Sequence, residues 1–305
     1  MSSVTFFVAP VPPFRLDLTA WAIRRRPENT IDAWEGDTYS RVLVVGDAPI
    51  SVAVRQVEPP DRPRLRIVAD GSGSASHLER VVTGALDQLL GLQVDLSGFY
   101  RVAAQDPLLD ALAQRFRGLK PPRFPTVFEA LVNAIACQQI TLTQGIRLLN
   151  RLAEAHGQGT AGTRARALPD ARRLANADPP ALRSLGLSRQ KAQALLDLAQ
   201  EVATGSLDLD RLGELDDAMA VRRLRALRGI GRWTAEYALL RGLGRLNVFP
   251  GDDVGARNNL QRWLGLTAPL DYAAVHRTLA AWQPYAGLVY FHLLLDRLAA
   301  VGHLS

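Results

Sequence analysis

At 305 residues, 48% of them hydrophobic, the chain is long enough to bury a substantial core in two or three domains. It has no apolar run of about eighteen residues and no basic region ahead of the short apolar patch in "MSSVTFFVAP", which excludes a membrane span and a secretory signal and leaves a cytoplasmic protein as the expectation. A single cysteine, Cys137, excludes an intramolecular disulfide and any thiolate-rich zinc or iron–sulfur site, while a net charge of +6 and a pI near 10.0 suit a polyanionic partner without requiring one.

The stretch "RVLVVGDAPISVAVRQV" from Arg41 predicts two β-branched strands around a turn at Gly46 to Pro49, and "RLRIVAD" from Arg64 predicts another after the proline-rich "EPPDRPR". Behind "GSGSAS", the apolar spacing of "HLERVVTGALDQLLGL" is that of a helix. Composition changes at "LKPPRFPT", so the expected boundary separates a small β-rich domain, residues 1–118, from a second region, residues 119–305. That second region is helical by period almost throughout, with Gly and Pro closing each segment. The fold class is therefore α+β, a β-rich N-terminal domain followed by an all-α body. In the amphipathic "ATGSLDLDRLGELDDAMAVRRL", a solvated helix pair accounts for the charge pattern.

In "LRALRGIGRWTAEYALLRG", a tight turn at Arg228 to Gly231 joins two helices, with Ile230 available to plug the gap between them. The amides of Gly229, Gly231 and Thr234 then face outward at the start of the second helix, where donors and dipole suit a phosphate; an ordinary glycine-containing turn is the alternative. Trp233 and Tyr237 share one face of that helix, either as core or as a stacking surface for a base. In "FPGDDVGARNN", Asp252 and Asp253 stand at the mouth of another helix, and one of them serves as N-cap. Two adjacent acids exceed what a cap requires.

With these residues in view, the chain from about Thr126 onward resembles the helix–hairpin–helix (HhH-GPD) base-excision DNA glycosylases, in particular their alkylation-repair branch for 3-methyladenine. "LRGIGRWTA" matches the hairpin, "FPGDD" the carboxylate segment, and "NAIACQQITLTQG" and "LANADPPALRSLGLSRQKAQAL" two further landmarks. The resemblance implies a catalytic carboxylate at Asp253, with Asp252 as helix cap or supporting acid. It also implies a base pocket at Trp233 and Tyr237, a wedge into the duplex at Gln139 supported by Gln138, and a Na+ or K+ ion held by the main-chain carbonyls of Arg225, Leu227 and Ile230.

The implied reaction is hydrolysis of the N-glycosidic bond of an everted alkylated purine in double-stranded DNA, by a monomer associated with the nucleoid and with no cofactor required for chemistry. Family members that also cut the strand use a lysine where this chain has Trp233, and its only lysines are Lys120 and Lys191. A monofunctional enzyme is expected, without an iron–sulfur cluster. One pocket tryptophan of the family falls on Leu294, for which Trp282, Tyr285 or Tyr290 could compensate, and Trp21 could add a wall from the N-terminal domain; His292 reads as a satisfied helix histidine. Two other readings stay open, a glycosylase for deaminated or oxidised bases and a non-catalytic binder of damaged DNA.

Overall fold

The computed structural model describes residues 2–304 and begins with a five-stranded antiparallel sheet in the order β1-β5-β4-β3-β2. Its strands are β1 (Ser2–Val8), β2 (Ala33–Glu35), β3 (Thr38–Val45), β4 (Ala48–Gln56) and β5 (Leu65–Gly71). The β3–β4 hairpin closes with Val45 opposite Ala48 around Gly46, whose φ of 62° suits a two-residue turn. Alternate residues Ile50, Val52 and Val54 of β4 point into the core. The strands at Arg41 to Val57 and after Arg64 form as the sequence indicates. β1 and the three-residue β2 were not anticipated, the latter being too short to display a period.

Helix α1 (Leu16–Arg24) lies between β1 and β2 in sequence, and α2 (Ala75–Leu90) follows the sheet. Ser74 caps α2 by accepting from the His77 amide, and Gly91 ends it at φ 62°. Its buried face, Leu78, Val82, Leu86 and Leu89, covers the sheet. Next come α3 (Ser97–Ala103), α4 (Pro107–Arg115), α5 (Val127–Cys137), α6 (Leu142–His156), α7 (Ala171–Ala175), α8 (Pro179–Ser184) and α9 (Arg189–Ala203). The chain finishes with α10 (Asp217–Arg225), α11 (Arg232–Arg241), α12 (Val254–Trp263), α13 (Tyr272–Leu279) and α14 (Ala286–Ala300). No described helix is long and apolar enough to cross a membrane.

Two hydrophobic clusters organise these elements, and each draws on both sides of Gly118. The first joins the sheet and α2 to α5, α6, α9 and α11; the second joins α3 and α4 to α12, α13 and α14. Helix α1 serves both, with Leu16, Ala20 and Ile23 in the first and Leu18, Trp21 and Ala22 in the second. Packing thus couples the N-terminal segment to the helices that carry the candidate site. Arg41 of β3 strengthens this coupling: it is buried between Asp32, at 2.7 Å, and Glu129 of α5, and Tyr39 donates to the same Asp32.

His292 of α14 is 1% exposed, with Nδ1 bonded to the Leu288 carbonyl and Nε2 without a partner beside Phe99 and Phe116. Burial lowers its pKa to about 4, so the imidazole is a neutral core group in a helix, of which only Nδ1 is satisfied among the described residues. The unfolded chain therefore binds the proton first, and stability falls as pH drops from the ordinary histidine value toward the folded one. Between pH 7 and pH 5 this residue should cost about 2 kcal/mol of unfolding free energy. Urea titrations of wild type and His292→Leu at both pH values check this: the variant should lose less stability on acidification, and equal losses would contradict the assignment.

Candidate functional site

Asp253 is the residue on which the site converges. It is the N-cap of α12, with Oδ1 accepting from the Ala256 amide at 2.9 Å. Oδ2 faces the other way and accepts from the Trp233 indole N–H at 3.2 Å and the Tyr290 hydroxyl at 3.3 Å. Burial and the neighbouring Asp253 carboxylate push the Tyr290 phenol well above its ordinary pKa, so it remains a donor. Of the two roles open to Asp252, helix cap or supporting acid, the cap falls to Asp253, and Asp252 pairs with Arg232 at 2.6 Å and 3.0 Å.

A cavity of about 440 Å³ opens beside Asp253, walled by Trp233, Tyr237, Tyr290 and Leu294. Trp233 and Tyr237 lie 5.5 Å apart with rings tilted by 39°, the one half-buried and the other buried. Of the side chains considered as compensation for Leu294, only Tyr290 lines this cavity. Trp282 donates to Asp106, and Tyr285 packs against Phe99. Trp21 also does not reach the cavity, contrary to expectation. It stacks on His303 in the second core, with Arg24 over its ring.

A wider groove of about 990 Å³ adjoins the cavity and carries the hairpin and the turn between α5 and α6. The hairpin forms as the glycine spacing indicates, with Ile230 buried. Gly229 has φ 76°, and a Cβ there would stand 2.6 Å from Ala194 of α9, so both backbone angle and space require glycine. A Cβ on Gly231 would meet nothing within 4 Å, leaving the α11 N-terminus open to close approach from outside. Among the described residues no acceptor is bonded to the amides of Gly229, Gly231, Arg232, Trp233 or Thr234, and no side chain caps α11. These amides and the helix dipole can accept an anion.

Gln139 takes φ 53°, an uncommon angle for a side chain other than glycine, and stands exposed on the groove. Gln138 donates to the Gly229 carbonyl at 2.8 Å and to the buried Thr234 hydroxyl at 2.9 Å, tying this turn to the hairpin. Lys191 of α9 fixes it from behind, donating to the carbonyls of Ala136 at 2.9 Å and Gln138 at 2.6 Å. At the cavity mouth Ile140 and Val254 present exposed apolar side chains. Among the described residues the carbonyls of Arg225 and Ile230 accept no backbone bond, and that of Leu227 accepts only a long one from Ile230.

Residues that the sequence did not single out position this machinery. Glu236, buried within α11, accepts from the Gly251 amide at 3.1 Å and the Tyr272 hydroxyl at 2.6 Å. Burial raises its carboxyl, and these two donors oppose the rise. Arg232 lies 3.6 Å over the Tyr272 ring while holding Asp252, so the Pro250–Asp253 turn is held from two sides. Arg25, which ends α1, also lines the cavity, and in sequence it is the middle residue of an "RRR" run with nothing to set it apart. A separate cleft of about 580 Å³ between β3 and the start of α5 shares no lining residue with either space.

Comparison with known proteins identifies this arrangement. Residues 132–284 match the family model described as HhH-GPD superfamily base excision DNA repair protein. The DNA-3-methyladenine glycosylase 2 of Escherichia coli is 33% identical over 284 residues, which span 92% of this chain and 94% of that protein. The DNA-3-methyladenine glycosylase of Bacillus subtilis is 30% identical, over 66% of this chain and 67% of that protein. In structure, the 3-methyladenine DNA-glycosylase from Archaeoglobus fulgidus superposes with a TM-score of 0.83 at 27% identity, covering 96% of this chain and 98% of that one.

Removing the Glu236 carboxylate should leave the Gly251 amide and Tyr272 hydroxyl unpaired. Glu236→Ala is therefore expected to lower unfolding free energy by about 2 kcal/mol in urea titration, and Glu236→Gln by less. Wild-type stability for the alanine variant would show that this carboxylate does not secure the turn.

Proposed function

We propose, from the premise that this chain belongs to the HhH-GPD superfamily of base excision DNA repair proteins, that it is a monofunctional DNA glycosylase for alkylated purines of the 3-methyladenine type. The observation that carries this reading is the divided Asp253 carboxylate, with Oδ1 spent on the α12 cap and Oδ2 turned toward an aromatic-walled cavity.

The substrate is a nucleotide everted from double-stranded DNA. The α11 amides and the glycines of the hairpin grip a phosphate of the same strand, and Gln139, supported by Gln138, fills the space left in the duplex. A cationic alkylated base enters the cavity against the wall formed by Trp233 and Tyr237, an attraction worth about 0.5–2 kcal/mol. As the glycosidic bond lengthens, its electron pair moves onto the base and cancels the base's positive charge. The sugar becomes oxocarbenium-like, and Asp253 Oδ2 stabilises that charge. Water adds its oxygen to C1′ and releases a proton toward Asp253 and solvent, leaving an abasic site and a neutral free base.

Strand cleavage by an amine requires a lysine in the cavity. Lys120 donates to the Val94 carbonyl and Lys191 to carbonyls beside the wedge, and neither lines the cavity. This supports hydrolysis without lyase activity. The chemistry as proposed needs no cofactor. The neutral carbonyls of Arg225, Leu227 and Ile230 suit a monovalent Na+ or K+ better than a divalent ion, and such an ion would brace the hairpin. We assign the protein to the nucleoid as a working monomer.

Asp253→Asn retains an oxygen to cap α12 while losing the charge. Its amide N–H2 then faces the Trp233 N–H and Tyr290 hydroxyl that the carboxylate accepted, so it should lose about 1 kcal/mol of stability, keep DNA affinity and slow single-turnover release of 7-methylguanine by about 10²–10³-fold. Asp253→Ala should lose the activity and, in addition, about 1 kcal/mol of stability. Strand breaks should appear only after alkali, and breaks without alkali would refute monofunctional action. Affinity for lesion duplexes should fall as salt rises, whereas salt-independent binding would contradict the phosphate grip.

A further inference from the structure

We propose that Arg25 is a specificity-determining residue that favours release of neutral oxo-purines over cationic alkyl-purines, an inference that rests on the glycosylase reading above. Arg25 is 4% exposed and lines the cavity with Asp253, Trp233, Tyr237 and Tyr290. Its Nη1 donates to the Tyr237 hydroxyl at 2.9 Å and its Nε to the Ile23 carbonyl at 3.3 Å, while Nη2 is buried without a partner. No carboxylate lies within ion-pair distance of it among the described residues.

A second buried guanidinium lies behind the first. Arg241 bonds only to the Ala22 carbonyl, with its Cζ 5.7 Å from the Tyr237 ring centroid and 5.1 Å from that of Phe124. Arg25 faces the same Phe124 ring. Two buried positive charges therefore share the Phe124 ring, and the nearer of them, Arg25, lines the same cavity as the Asp253 carboxylate. Such charges are costly unless something compensates them. Among the described residues, positive φ outside glycine occurs only at Arg25 and Gln139, and both border the site. Strain of this kind collects where geometry serves function.

The two classes of base place different demands on these charges. A cationic alkyl-purine becomes neutral as its bond to C1′ breaks, so a guanidinium near it stabilises nothing that develops. A neutral purine keeps the bonding pair and departs as an anion, with charge spread over its ring nitrogens and any carbonyl oxygen. Arg25 meets that charge with a buried guanidinium in the wall of a water-poor site. Water then supplies its oxygen to C1′ and, through Asp253 and solvent, its proton to the departing base, which balances the step. A carbonyl-bearing neutral purine such as hypoxanthine is the class served, while the same charge disfavours entry of a cation.

The test compares single-turnover release of hypoxanthine and 7-methylguanine from otherwise identical duplexes by wild type, Arg25→Met and Arg25→Lys. The ratio of hypoxanthine to 7-methylguanine rates should fall by about tenfold or more in Arg25→Met, and by less in Arg25→Lys, which keeps the charge and loses the fork. Release of 7-methylguanine by the same preparation reports that each variant is folded. A ratio within about threefold of wild type in Arg25→Met overturns the proposal, because a purely structural role slows both reactions alike. Wild-type protein that releases 7-methylguanine but no hypoxanthine also overturns it. Wild-type protein that releases neither base overturns the glycosylase reading itself.

Discussion

The two oxygens of Asp253 have different partners, and the rest of the site depends on that division. Because Oδ1 is fixed to the first turn of α12, the carboxylate cannot rotate to satisfy itself elsewhere, and Oδ2 is held at the cavity by Trp233 and Tyr290. A helix cap is normally a stabilising device of about 1 kcal/mol. Here the same bond also preorganises a charge, which costs no reorganisation when a positive sugar develops beside it.

Holding that carboxylate requires the segments around it to be held as well. The Pro250–Asp253 turn is anchored through Gly251 to Glu236 and through Asp252 to Arg232, both on α11. The same helix begins with the unpaired amides of the hairpin and carries Trp233 and Tyr237. One helix therefore sets the distance between phosphate grip, base wall and carboxylate. Gln138 and Lys191 extend this frame to the wedge turn, and α1 closes the cavity with Arg25. The N-terminal segment thus contributes to the site directly, by packing in both cores and delivering a buried cation.

Much of this was legible in the sequence, for identifiable reasons. Helical period located α2, α5, α6, α9 and α11, and β-branched runs located β3, β4 and β5. Gly229 was readable because a left-handed angle and a 2.6 Å approach to Ala194 leave no other choice of residue. What stayed hidden depended on contacts between distant segments. Whether Asp252 or Asp253 caps α12 turns on Arg232, twenty residues earlier, which claims Asp252. Trp21 was open to a role in the pocket wall or in the core and lies in the core, while the left-handed ending of α1 brings Arg25 to the cavity. Both hydrophobic clusters run across the boundary expected near Gly118, and no local pattern reveals that.

The central claim is electrostatic: Asp253 recognises positive charge developing at the sugar. The most direct measurement is the affinity of wild type and Asp253→Asn for duplexes carrying either a cationic pyrrolidine or a neutral tetrahydrofuran in place of the deoxyribose. The account predicts that wild type prefers the cationic analogue by about tenfold or more and that the asparagine variant loses this preference while binding the neutral duplex as before. A preference of equal size in both proteins would contradict it and remove Asp253 from the reaction.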